Sequence, residues 1–473
     1  MSRKVFLLFL HIFFLQHLTS KSEHSPSLVS RISFGSCSNQ SAPQPIWDAI
    51  IKFDPQVFIW LGDNIYGDNR RPFSIFGRVR TIGPWKNAER FFPSSELEMR
   101  YRYQQAKSNP GYSAVRRKAR VIGTWDDHDY GLNNAGKEFP GKDINQKLML
   151  DFLDEPQNSP RRKQAGVYAS YVFGPQGRQI KIILLDTRYH RDPISSDGSM
   201  LGSSQWIWLE NELNSSPTEI TIIASSIQVF PYMVYVRRHC WEIEIAVFHL
   251  LVISNLTAVG SPLFVLESWA RFPKERARLF KLIADSNRSG VFFISGDVHF
   301  GEITRYDCGT GYPLYDVTSS GLTQSVEQAI PHSLSLLVRF MAWLMPSTMR
   351  IYGEDCRYRS CTYAKPNFGA IEIDWDAAPV SLKIELRDVN GDPVNNVKVL
   401  LSDLHPGGTY RTQPTAGTHK HHCSLEVDLP WLSRHCFAIV FYTSLLGLAL
   451  AMGVLIHITV SVSKQIFVKL KRD

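Results

Sequence analysis

Short runs of apolar, β-branched and aromatic residues recur along the chain, and each breaks off at glycine, aspartate or histidine. Arg31–Cys37 (RISFGSC), Gln56–Asp63 (QVFIWLGD) and Ala119–Asp129 (ARVIGTWDDHD) are three of them. Ile180–Arg188 (IKIILLDTR), Glu219–Val229 (EITIIASSIQV) and Gly290–Gly301 (GVFFISGDVHFG) are the others. Their length and near-continuous apolar character predict buried strands followed by loops. Pro45–Phe53 places proline at a helix start with apolar residues on one face, and Arg271–Ser286 reads as an amphipathic helix ahead of the sixth strand. After Pro366, NFGAIEIDWD and SLKIELRDVNGDPV alternate apolar with polar positions around an Asn-Gly turn signal, which predicts antiparallel strands closing a sheet. No repeat of 20–50 residues interrupts this order. The pattern is that of an α/β core whose polar strand ends meet at one sheet edge, on loops held by a rigid scaffold.

The two ends carry other signals. Residues 1–20 combine Arg3 and Lys4 with an apolar run from Val5 to Leu15 and then small and polar residues, the layout of a signal peptide. Phe437–Val462 contains no Asp, Glu, Lys or Arg over 26 residues. At 1.5 Å per residue it is long enough for a hydrocarbon core of about 30 Å, so 437–463 is expected to be a transmembrane helix. The basic stretch 464–473 then reads as a cytoplasmic tail, and 404–434 as a stalk in which His419–His422 form part of a solvated linker. The expected product is a type I membrane protein of the secretory pathway, its bulk lumenal or extracellular. Sequons at Asn39, Asn214, Asn255 and Asn287 agree with that topology.

Composition narrows the class further. With 44% hydrophobic residues in 473, the chain is neither disordered nor collagen-like. Seven cysteines make no disulfide scaffold, although Cys356 and Cys361 are near enough to bridge and Cys308 is a further partner. The formal charge of +8 points at first to nucleic acid, but five of those charges sit in the first four and last ten residues. The body is near neutral, so no specific nucleic-acid binding is expected.

The candidate chemistry lies at four strand ends: Cys37 in FGSC, Asp63 and Tyr66 in GDNIYGD, Asp126–Asp129 in WDDHDYG, and Asp297 with His299 in GDVHFGE. A dinuclear metal centre needs this inventory, with one carboxylate bridging and imidazole, thiolate, phenolate and further carboxylates completing each shell. Two such cations clamp a phosphate ester and generate hydroxide near neutral pH. Without cations, clustered carboxylates repel and take up protons.

FGSC, WLGDNIYGD, TWDDHDYG, LLDTRYHR and ISGDVHFGE, in this order, resemble the PhoD-like (alkaline phosphatase D) metallophosphatases over residues 31–403. The resemblance implies a calcineurin-like metallophosphoesterase fold, a two-sheet sandwich flanked by helices. It also implies phosphomonoesterase or phosphodiesterase activity and a bimetal site, an iron–calcium pair in bacterial members, with zinc, manganese or magnesium as alternatives. Carried over by position, Cys37, Tyr66 and His299 hold the iron-like cation, Asp63 bridges, and Asp297 with Asp127 hold the harder one. Asn133 or Asn134 competes with Asp127 for that place. His128 orients a ligand or protonates the leaving alkoxide, while Arg188 and Asn64 reach the phosphate oxygens. A salt bridge to Asp186 or a neighbour is the alternative for Arg188, and a disulfide the alternative for Cys37.

Residues 230–252 (FPYMVYVRRHCWEIEIAVFHLLV) depart from the family pattern as an aromatic-rich insertion with no clear periodicity. The expectation is a metal-dependent phosphoester hydrolase. Its competitors are a catalytically silent membrane receptor or scaffold that keeps the fold, and a membrane-tethered nuclease.

Overall fold

The computed structural model describes residues 23–25, 27–71, 91–194, 198–230, 267–329, 349–351, 356–358, 360–407, 443, 446, 447 and 450–463. The strands, in chain order, begin with β1 (Glu23–Ser25), β2 (Arg31–Gly35), β3 (Val57–Leu61), β4 (Asn69–Arg70) and β5 (Phe91–Phe92). They continue with β6 (Arg120–Thr124), β7 (Ala169–Phe173), β8 (Ile180–Leu184), β9 (Ile220–Ala224) and β10 (Val291–Ser295). The last are β11 (Gly301–Tyr306), β12 (Leu314–Ser319), β13 (Asn367–Asp374), β14 (Ser381–Asp388) and β15 (Pro393–Leu400).

Two mixed sheets result. One has the order β1-β7-β8-β9-β10-β12-β11, the other β15-β14-β13-β2-β3-β6, and β4 pairs with β5 apart from both. In the second sheet β2, β3 and β6 run parallel, so Cys37, Asp63 and Asp126 leave the sheet at the same edge. In the first, β8, β9, β10 and β12 run parallel, which sends Arg188, Ser226, Asp297 and Ser320 out together. The bridge Ser36–Ser320 joins the strand-end loops of the two sheets. Parallel strands need crossovers, and these supply the helices.

Four of those helices cover the six-stranded sheet: α1 (Ile46–Phe53), α2 (Glu96–Lys107), α3 (Pro110–Lys118) and, after the short α4 (Asp127–Tyr130), α5 (Lys142–Phe152). Their Trp47, Met99, Tyr112 and Phe152 form one core with Phe58 and Trp60 of β3 and Phe368 of β13. Because side chains alternate along a strand, Val57, Ile59 and Leu61 face the other way, and they too are buried. Both faces of the sheet are therefore covered, as its continuous apolar strands required. On the seven-stranded sheet, Phe280 of the helix Pro273–Asp285 meets Phe293 of β10 and Tyr306 of β11. The Asn-Gly turn appears as expected between β14 and β15, with Gly391 at φ 85° and Asp388 Oδ1 accepting from the N–H groups of Asn390 and Asp392.

Some boundaries shift. Phe230, where the expected insertion begins, is buried against Phe280, Phe293 and Tyr306, and its N–H donates to Asp316 Oδ2 at 3.1 Å. Residues 231–252 lie outside the described part. Leu404 does not belong to a stalk, because it is fully buried and its carbonyl accepts from Gly290 N–H at 2.8 Å. Residues 1–20, 408–434 and 464–473 lie outside the description. The residues 450–463 belong to a second unit and form a helix with Leu450, Leu455 and Ile456 more than half exposed. Among the described residues no helix is long and apolar enough to cross a membrane, so the transmembrane helix expected over 437–463 is not found there.

Candidate metal centre

The strand-end loops bring donor atoms from four places in the sequence into three groups. Cys37, Asp63 and His299 form one, Asp63, Asp127 and His128 a second, and Asp126, Asp127 and Asp297 a third. Within each group the potential ligand atoms lie within 4.8 Å of one another. Asp63 belongs to the first two groups and Asp127 to the last two, so the three make one continuous string of donors.

Local backbone geometry places these side chains. Cys37, Asp63, Asp297 and His299 all adopt the left-handed region, at φ 59°, 50°, 72° and 63°. For residues other than glycine this costs of order 1–3 kcal/mol each and persists where the surroundings over-determine it. Here they do. Ser38 N–H donates to the Asp63 carbonyl at 2.9 Å, and His299 N–H donates to Ser320 Oγ at 2.7 Å. Gly62 (φ 97°) allows the two acidic loops to touch: a Cβ there would sit 2.4 Å from Asp126 Cβ.

Hydrogen bonds set the chemical state of each donor. His299 Nδ1 donates to the Gln324 carbonyl, which leaves Nε2 as the lone-pair donor. Burial holds His299 down to about 4, so it stays neutral as a ligand must. Cys37 is a free, buried thiol, 3.5 Å from Asp63 Oδ2 and 3.1 Å from Ser320 Oγ. Among the other described cysteines, Cys356 bonds to Cys361, and Cys308 is also disulfide-bonded. Tyr66 is half-buried with its hydroxyl oxygen enclosed, making no aligned hydrogen bond although the Cys37 thiol is its neighbour. Its ring lies 4.4 Å from that of His128 and 6.5 Å from that of His299, centroid to centroid.

In the acidic part, Asp127 Oδ2 accepts from Asn134 N–H at 2.6 Å, while its Oδ1 and Asp126 Oδ2 are buried without hydrogen bonds. The competing Asn134 thus serves Asp127 through its backbone, and Asn133 N–H donates to Asp68 Oδ2 at 3.0 Å. His128 Nδ1 donates to Asp68 Oδ1 at 2.7 Å. Burial would lower the pKa of His128, but Asp127, Asp63 and Asp68 outweigh it and hold the imidazole protonated.

Two expected phosphate contacts are placed differently. Arg188 is fully buried; its Nε donates to Asp126 Oδ1 at 2.6 Å and its Nη1 to Glu267 Oε2 at 2.6 Å. It is a counter-ion to two carboxylates rather than a group facing open space, and its partner is not the Asp186 side chain, which instead accepts from the Arg188 N–H. Asn64 turns its amide nitrogen to the Thr124 carbonyl at 3.1 Å and leaves Oδ1 buried without a hydrogen bond. That free acceptor suits a cation, not a phosphate oxygen.

Asp68 and Glu267 join the site without having been singled out, and Asp126, named only as part of its block, joins Asp127 and Asp297. Asp126 stood in the WDDHD block and Asp68 at the end of GDNIYGD, so both had a signal; Glu267, in LESWARF, had none.

The residues fit two bound cations. Burial, reinforced by neighbouring carboxylates, raises the pKa of Asp63 and Asp297 well above the usual range. Burial also lifts Asp126 to about 7 despite Arg188. Only Asp127 is held down, to about 2, by His128, Arg188 and the Asn134 N–H against its burial. Such a crowded set of acids with bare oxygens is stable as carboxylates when cations lie among them.

Comparison with known proteins identifies the family and the fold. A family model described as PhoD-like phosphatase matches residues 32–331. Alkaline phosphatase D of Bacillus subtilis (strain 168) is 24% identical over 270 residues, which cover 50% of this chain and 40% of that relative. The match thus spans well under two thirds of the relative's length. The solved structure of PhoD superposes with a TM-score of 0.53 at 16% identity, covering 82% of this chain and 72% of its own, a likeness of fold.

Proposed function

The chain belongs to the PhoD-like phosphatase family, and from that premise we propose that it hydrolyses phosphate esters, mono- or diesters, at a two-cation centre built on Asp63. The observation that carries this reading is the sharing of Asp63 and Asp127 between adjacent donor groups. Cys37, His299 and Tyr66 would hold one cation, Asp126, Asp127 and Asp297 the other, with Asp63 between them. Thiolate, phenolate and imidazole suit iron, and the all-carboxylate half suits a hard ion such as calcium; zinc, manganese and magnesium are the alternatives. Bound there, the cations supply Lewis-acid charge to the phosphoryl oxygens and lower the pKa of the attacking water.

The side chains then have separate tasks. With Nδ1 committed to Asp68, His128 carries its transferable proton on Nε2 and delivers it to the leaving alkoxide. Arg188 holds Asp126 in place and offsets part of the burial that raises its pKa. Asn64 adds an acceptor beside Asp63. The catalytic region belongs to the lumenal or extracellular side of the secretory pathway, a reading supported by the signal-peptide layout of residues 1–20.

The test is hydrolysis of p-nitrophenyl phosphate and bis-p-nitrophenyl phosphate by the full-length chain. Chelation should abolish turnover. Asp63→Ala should lower kcat/KM by roughly 10³-fold, since Lewis-acid stabilisation is worth several kcal/mol and each 1.4 kcal/mol is tenfold. Full activity after either treatment overturns the reading.

A further inference from the structure

Three backbone N–H groups from two strand ends converge on one carboxylate that belongs to none of the three donor groups. Asp126 N–H and Asp63 N–H donate to Asp129 Oδ1 at 2.6 and 3.2 Å, and Asn64 N–H donates to Asp129 Oδ2 at 3.2 Å. Asp129 is fully buried, and its own backbone carbonyl meets the Tyr103 hydroxyl at 3.4 Å. The loop after β3, with Asp63, and the loop after β6, with Asp126 and Asp127, are thereby tied to a common point. A carboxylate is needed there because it is acceptor-only on both oxygens, whereas an amide would aim N–H at N–H on one side.

We infer that Asp129 is a positioning residue that sets the separation of the two cation sites, by pinning the Asp63 loop to the Asp126–Asp127 loop without itself binding an ion. The inference rests on the two-cation reading above. Without the pin, either loop still presents its own donors, but Asp63 no longer stands at bridging distance from both.

The experiment is calorimetric titration of the chelator-stripped, full-length chain with Zn²⁺, beside Asp129→Asn, Asp129→Glu and Tyr103→Phe. The wild-type chain should take up two equivalents. Asp129→Asn should weaken the second by about 10- to 100-fold, the range for groups that orient metal ligands, with the first equivalent and the circular dichroism unchanged. Asp129→Glu, whose carboxylate is set one methylene further out, should weaken the same equivalent by a smaller factor, and it carries the test if the Asn chain does not fold. Tyr103→Phe removes a contact to the same residue but leaves the pin, and should titrate like wild type. Unchanged binding of both equivalents by the Asp129 variants, or an equal loss in Tyr103→Phe, overturns the inference. Uptake of fewer than two equivalents by the wild-type chain overturns the functional reading beneath it instead.

Discussion

The two halves of the centre are held by different means. Around Cys37 and His299 the geometry comes from backbone: left-handed residues locked by main-chain hydrogen bonds and by Ser320, with soft donors buried beside Asp63. Around Asp126 and Asp127 it comes from charge: Arg188 fully buried against Asp126 and Glu267, and Arg191 reaching the other oxygen of Glu267 at 3.0 Å. The first half stores conformational strain, and the second stores uncompensated charge when any member is lost. Strain tolerates a change of donor better than a charge cluster tolerates a change of sign.

The sharpest way to break the contrast is Arg188→Ala. It strands Asp126 and Glu267 without their counter-charge, and by the behaviour of broken buried ion pairs it should cost about 3–5 kcal/mol in urea unfolding. A change under 1 kcal/mol would mean the acidic half does not depend on it. Next comes pH, without metal. Asp126 has its pKa raised in the folded state to about 7, chiefly by burial. Its stabilising effect is therefore complete below the ordinary aspartate value and is lost as pH rises through about 7. The chelator-stripped chain should lose stability between about pH 4 and 7, on the order of 3–4 kcal/mol at full extent, while the metal-loaded chain stays level. Parallel curves would contradict the assignment of cations to this half. The smallest effect is expected from Cys37→Ser, which keeps the left-handed backbone but hardens one donor. Elemental analysis and competitive titration should show about 10- to 100-fold weaker retention of the soft ion, with the acidic half still occupied. Loss of both ions together would show that the halves are not separable.

How much of this was legible beforehand differs by element. The strands that end in the motifs were plain, because long apolar runs interrupted by Gly-Asp and Asp-Asp-His-Asp leave little choice of structure. The helix Glu96–Lys107 was not singled out: its apolar positions are weakly organised, and its one clear signal is the Ser95–Glu98 capping box. Strands β11 and β12 were missed because Glu302, Thr304, Asp316 and Thr318 are buried there and break the apolar run. Their burial is made tolerable by partners far away in the chain, such as Arg350 to Glu302 and the Val229 and Phe230 N–H groups to Asp316.

The amino-acid sequence alone determined the donor types, the strand-and-loop periodicity that carries them and the family to which they belong. These are local properties: composition, period and spacing suffice to express them. Only the tertiary structure decided which donors lie within reach of one another, that Asp126 stands with Asp127 and Asp297, and that Arg188 answers to Glu267 across 79 positions of chain. A carboxylate's role follows from its burial and from the charge that faces it, and both come from residues that meet only when the sheets close.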